Sequence, residues 1–75
     1  MLEKLRELLS EYVEVAREDI TVESKLVEDL GLNSYEFMTL VGDLEEEFDV
    51  EVNEREVAKV NTIGDIIEYI TALQV

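Results

Sequence analysis

Apolar residues recur along this 75-residue chain at spacings that predict helices. The clearest run is Leu30–Val50, LGLNSYEFMTLVGDLEEEFDV. There Phe37, Leu40, Val41, Leu44 and Phe48 share one face of a helix expected over about Ser34 to Phe48. Asn33, with Glu36 three positions on, reads as a capping box, and Gly31 breaks the chain just before it. At about 100° per residue, Glu36, Asp43 and Glu47 fall on a second line. Tyr35, Met38 and Gly42 fall on a third, roughly opposite the apolar stripe.

The same reading extends to both sides. Leu2, Leu5, Leu9, Tyr12, Val13 and Ala16 predict a first helix from Leu2 to about Ala16. Glu3, Glu7, Glu11 and Glu14 lie opposite, where like charges at i, i+4 mildly oppose the helix, so packing must hold it. Arg17 to Asn33 has no sustained period. Its apolar residues Ile20, Val22, Leu26, Val27, Leu30 and Leu32 suggest a loop lying over the helices, with one helical turn at Leu26–Leu30. Val50-Glu51-Val52 alternates like a strand but has no pairing partner elsewhere. Asn53 and Glu56 repeat the capping pattern before a short helix, about Glu54 to Lys59, with Val57 and Val60 inward. Thr62 caps a last helix in which Ile63, Ile66, Ile67, Ile70 and Leu73 form an i, i+3, i+4, i+7 stripe, with Asp65 favouring its start. The expectation is an all-α fold: a small four-helix bundle of three longer helices and one short one. A long loop joins the first two helices, and residues 1–75 form one domain.

Charge narrows the function. Twenty acidic and six basic residues give a formal net charge of −14. Nucleic acid and anionic membrane are poor partners for such a surface. No apolar run approaches the ~20 residues of a membrane span, and MLEKLRELLSEYV is no signal peptide, so a cytoplasmic monomer is expected. The chain has no Cys and no His, which removes disulfides, protein thiol chemistry, a Ser/His/Asp set and the usual metal ligand. No pair of carboxylates stands out as catalytic, so no enzyme activity and no specific metal site are expected. The Glu45–Asp49 cluster would attract divalent cations only weakly, relieving repulsion. Between Lys25 and Arg55 lie ten acidic residues and no basic one. Such a face can steer basic patches on partner proteins.

The third line of the central helix gives the next clue. A helix that packs by one face needs no aromatic ring and no Met on the other. Tyr35 and Met38, beside Ser34 and framed by acids, suggest a contact surface; the competing expectation is that one of them packs under a neighbouring loop. On the residues VEDLGLNSYEFMTLVGDLEEEFDVEV, Val27 to Val52, the chain resembles the acyl carrier protein family. That family has an Asp-Ser-Leu motif opening its second helix and an acidic EEEF-like end to it. The likeness runs over essentially the whole chain, including the order of helices. It implies that Ser34 carries a 4′-phosphopantetheine arm through a phosphodiester, and that the arm's thiol carries acyl groups as thioesters between enzymes of fatty acid or related biosynthesis. It also implies shelter for an acyl chain between the second helix and its neighbours.

The implied partners are a phosphopantetheinyl transferase and acyl-transfer and synthase enzymes with basic docking patches. Glu36, Asp43, Glu46 and Glu47 would meet those patches, with Tyr35 and Met38 adding apolar contact. Asn33 stands where the family usually has Asp, Tyr35 where it usually has Leu, and Thr39 where another acid is common. The lost charge beside the serine points to a particular, or slow, attaching transferase. A second hypothesis, from another class, is an unmodified acidic helical adaptor or nucleic-acid mimic that binds basic protein surfaces.

Overall fold

The structure, a computed structural model, describes residues 2–74. Four helices follow one another: α1 (Leu2–Leu9), α2 (Ser34–Phe48), α3 (Glu54–Val57) and α4 (Ile63–Leu73), with a single 3₁₀ turn at Arg17–Asp19 in the long connection. No strand forms among the described residues; Lys25 and Thr62 make one isolated antiparallel bridge.

The first helix is shorter than its apolar spacing predicts. Ser10 Oγ donates to the Glu7 carbonyl, a local bond that competes with helix continuation. Beyond it the chain runs on in turns, with Tyr12 and Val13 both donating to the Leu9 carbonyl. The like-charged row from Glu3 to Glu14 supplies nothing to extend the helix, and Tyr12 is drawn off to bond Asp43 on α2.

The core is aliphatic. Leu5 and Leu9 of α1, Leu40 and Leu44 of α2, and Ile63, Ile66 and Ile70 of α4 are buried together. Ile20, Leu26, Leu30 and Leu32 of the connection join the same cluster. The connection is therefore part of the core and not a plain linker. Val22 and Val27 of the same segment are exposed.

Backbone bonds lock the connection in place. Leu26 N–H donates to Asn61 O at 2.9 Å, Ile63 N–H to Ser24 O at 3.0 Å and Gly64 N–H to Val22 O at 2.9 Å. This stitches residues 22–26 to the start of α4. Gly64 suits this close approach: a Cβ would stand 3.1 Å from the Val22 carbonyl oxygen, tighter than ordinary contact. Arg6 Nε donates to Ile20 O at 2.9 Å, tying α1 to the same segment. The expected turn at Leu26–Leu30 is present as a mixed turn and not a helix, since Asp29 and Leu30 both donate to Lys25 O.

Capping decides where the helices begin. Thr62 and Asp65 form a reciprocal box, and Asp65 Oδ2 also accepts from Asn61 N–H at 3.0 Å. The backbone N–H groups of Asn61 and Thr62 hold the Asp65 carboxyl below its ordinary pKa. Asn53 caps α3 through the N–H groups of Arg55 and Glu56. The reciprocal half of that box is replaced: Asn53 N–H donates to Tyr69 Oη at 3.0 Å, and Tyr69 Oη donates to Glu56 Oε1 at 3.1 Å. Burial and then the Glu56 carboxylate raise the Tyr69 pKa, while the Asn53 bond opposes them.

Two predictions follow from this packing. Gly42 lies mid-helix, and a Cβ there meets nothing within 4 Å. Gly42→Ala should raise stability by about 0.5–1 kcal/mol, whereas Gly64→Ala should gain nothing; urea unfolding of both variants tests this. Asp65 titrates lower in the folded chain, so its contribution is present above about pH 4 and fades as pH falls through the folded value. Asp65→Ala should therefore melt below the parent at neutral pH, and the gap should narrow below about pH 4. A gap independent of pH, in melts followed by circular dichroism, would contradict the assigned bonds.

Candidate functional site

Ser34 is the first residue of α2 and is exposed. Its position is fixed from both sides. Upstream, Leu32 N–H donates to Leu26 O at 3.1 Å and Gly31 N–H to Val27 O at 3.0 Å, with Gly31 at φ 72°, where a side chain would be strained. Leu32 itself is buried. Downstream, the expected capping box is complete: Glu36 N–H donates to Asn33 Oδ1 at 2.7 Å, and Asn33 N–H donates to Glu36 Oε1 at 3.2 Å. The N–H groups of Ser34 and Tyr35 precede any intrahelical acceptor, as in every α-helix. A group on Ser34 Oγ therefore sits at the positive end of the 15-residue helix α2.

Ser34 stands at the edge of an open cleft of about 550 Å³. Leu26, Val27 and Leu32 line it from the connection, Phe37 and Met38 from α2, and Val57, Ala58 and Val60 from α3 and the residues after it. Asn33, Glu54 and Asn61 also line it. The sequence marked Val57 and Val60 as inward but gave no sign that they face α2. The short helix α3 makes the far wall of the cleft, a role its length did not advertise.

Tyr35 is 81% exposed and Met38 41% exposed. Neither is covered by a loop, although Met38 also borders the cleft. The acids of α2 are less uniform than their spacing suggests. Glu36 is held in the capping box. Asp43 Oδ2 accepts from Tyr12 Oη at 2.9 Å, a bond that raises the Tyr12 pKa, with burial adding to it. Glu47 pairs with Lys4 Nζ at 2.9 Å; the Glu47 hydrogen bond and charge raise the Lys4 pKa. Glu46 is exposed, and no side-chain hydrogen bond or ion pair engages it among the described residues. Sequence reasoning missed Lys4 and Tyr12 as partners of these acids. Tyr12, on the apolar stripe predicted for the first helix, carries no signal beyond a polar tip on an apolar body.

Among the described residues no cluster of three or more His, Cys, Asp or Glu side chains is arranged to hold a metal ion. No helix there is long and apolar enough to cross a membrane. What remains is an exposed hydroxyl at a helix start, beside an apolar cleft and an acidic helix.

Residues 3–70 match the family model described as phosphopantetheine attachment site. An acyl carrier protein of Clostridium perfringens is 37% identical over 71 residues, 95% of this chain and 93% of that one. One of Thermotoga maritima is 40% identical over 67 residues, 89% of this chain and 83% of that one. Among solved structures, an acyl carrier protein from Enterococcus faecalis superposes with a TM-score of 0.83 at 26% identity, covering 96% of this chain and 91% of that one. These matches do not favour the unmodified acidic mimic. With its helix order, its exposed first-turn serine and these full-length likenesses in agreement, the chain belongs to the phosphopantetheine-attachment family of acyl carrier proteins.

Proposed function

We propose that Ser34 is the attachment point of the arm. As a family member the chain is a carrier and not a catalyst, and it carries acyl groups through covalent 4′-phosphopantetheine. The observation that supports Ser34 is its exposure at the first position of α2, at the edge of the cleft. The residues present suit the group. A phosphodiester on Ser34 Oγ meets the free N–H groups of the first turn, and the apolar cleft walls can cover a flexible arm or part of its cargo. The arm supplies a thiol for thioester chemistry, which this chain lacks, having no Cys.

The protein's own residues do the rest. Asn33 and Glu36 hold the helix start rigid, so the hydroxyl is presented at one place. Asn33 does so without adding a negative charge beside a phosphate. The acidic face of α2 meets basic surfaces on the transferase and on acyl-transfer and synthase enzymes, with Tyr35 and Met38 as apolar contacts. Glu46 is the acid most available to them. Asp43 and Glu47 must exchange Tyr12 and Lys4 for a partner's cations, so they contribute less than their number implies. Fatty acid and related biosynthetic cargo fits the cleft's apolar walls.

The test is intact mass after incubation with coenzyme A and a broad-specificity phosphopantetheinyl transferase. The expected outcome is a gain of one phosphopantetheine on the parent chain and none on Ser34→Ala, which should fold normally because Ser34 is exposed. Modification of the Ser34→Ala chain would place the arm elsewhere.

A further inference from the structure

Gly42 has no explanation inside the fold. A glycine in a helix interior weakens the helix. No turn requires it, because the one glycine with positive φ among the described residues is Gly31. No neighbour requires the space, because a Cβ there meets nothing within 4 Å. The bare backbone at Gly42 therefore faces outward.

The helical period places it at the centre of an outward line. Met38 and Thr39 lie one turn before it, Glu46 one turn after and Tyr35 two turns before. Tyr35, Met38 and Glu46 are all exposed. Glu46 is also the α2 acid left free by the bonds described above, whereas Glu36, Asp43 and Glu47 are engaged within the chain. The line thus offers two apolar side chains, a gap, and one unengaged carboxylate.

We infer that this gap is a receiving notch. The transferase that modifies Ser34 sets a bulky apolar side chain, aliphatic or aromatic, against the α2 backbone at Gly42, and one of its Lys or Arg side chains meets Glu46. The inference rests on the carrier reading. Two observations select this occupant. The segment between Lys25 and Arg55 has ten acids and no cation, so a basic protein is attracted and a second copy of this chain, at −14, is repelled. Gly42 also lies eight residues past Ser34, about 12 Å along the helix, within the footprint of an enzyme working on that hydroxyl. The transferase meets the protein before any arm exists. It must take its whole grip from the protein surface, whereas later enzymes also hold the arm. A notch selects as well as binds: a transferase shaped to fill it is blocked by any side chain at that position.

The test uses the full chain, coenzyme A and the phosphopantetheinyl transferase encoded in the same genome, with initial rates measured against carrier concentration for Gly42→Ala and Gly42→Leu. The expected result is a KM for the carrier raised roughly threefold by alanine and about tenfold or more by leucine, with kcat unchanged. The thermal midpoint of Gly42→Ala should stay at or above the parent's. Gly42→Ala decides the outcome if the leucine variant folds poorly. A KM within about twofold of the parent for folded variants overturns the notch. So does a KM that rises only alongside a lowered midpoint. If the parent chain is modified normally in either case, the carrier reading survives and the notch alone fails. If neither this transferase nor a broad-specificity one modifies the parent, both fail.

Discussion

Four aliphatic side chains of the long connection, Ile20, Leu26, Leu30 and Leu32, hold the rest of the arrangement in register. They are buried with Leu40 and Leu44 of α2 and with Ile63, Ile66 and Ile70 of α4. Burying one such side chain is worth about 1.5–3 kcal/mol. Together they offset part of the entropy of ordering a segment that forms almost no regular structure. The result is a helix start that is rigid although the residue at its first position is exposed. The attachment proposed at Ser34 needs that combination: a hydroxyl buried for rigidity would be unreachable, and one on a free loop would not be presented in one place.

The second theme is that the acidic helix is already partly in use. Tyr12 and Lys4 of the N-terminal segment take up Asp43 and Glu47, and the helix's own start takes up Glu36. Exposed pairs of this kind contribute little to stability individually. Their effect is to sort the acids into engaged and available ones. Charge counted along the sequence overstates what a partner can reach.

Much of the fold could be read from the chain because its spacing and its chemistry agreed. The stripe from Phe37 to Phe48 and the Asn33–Glu36 box give α2 the limits it has, and the stripe from Ile63 to Leu73 with Thr62 does the same for α4. The first helix is shorter than its spacing predicts, because periodicity persists through Val13 and Ala16 while the backbone has already turned off at Ser10. Tyr35 and Met38 are visible as a break from the apolar pattern, and Ser34 through its setting beside them and the family resemblance. The far wall of the cleft was not, since nothing local says which way a four-residue helix such as α3 faces. The Asn53 box was half right: the tertiary contact from Tyr69 displaced the local partner. Long-range polar pairs such as Tyr12 with Asp43, 31 residues apart, leave no periodic trace.

The placement of the three tyrosines has an optical consequence. The chain has no Trp, so its ultraviolet emission comes from Tyr12, Tyr35 and Tyr69 alone. Two of these phenols donate to carboxylates, Tyr12 to Asp43 and Tyr69 to Glu56, and a phenol bonded in that way is quenched by proton transfer in its excited state. Tyr35 stands clear in solvent next to Ser34. The folded protein thus carries a native fluorophore adjacent to Ser34, the proposed attachment point, against a dimmed background, and its light reports on that neighbourhood without any added label.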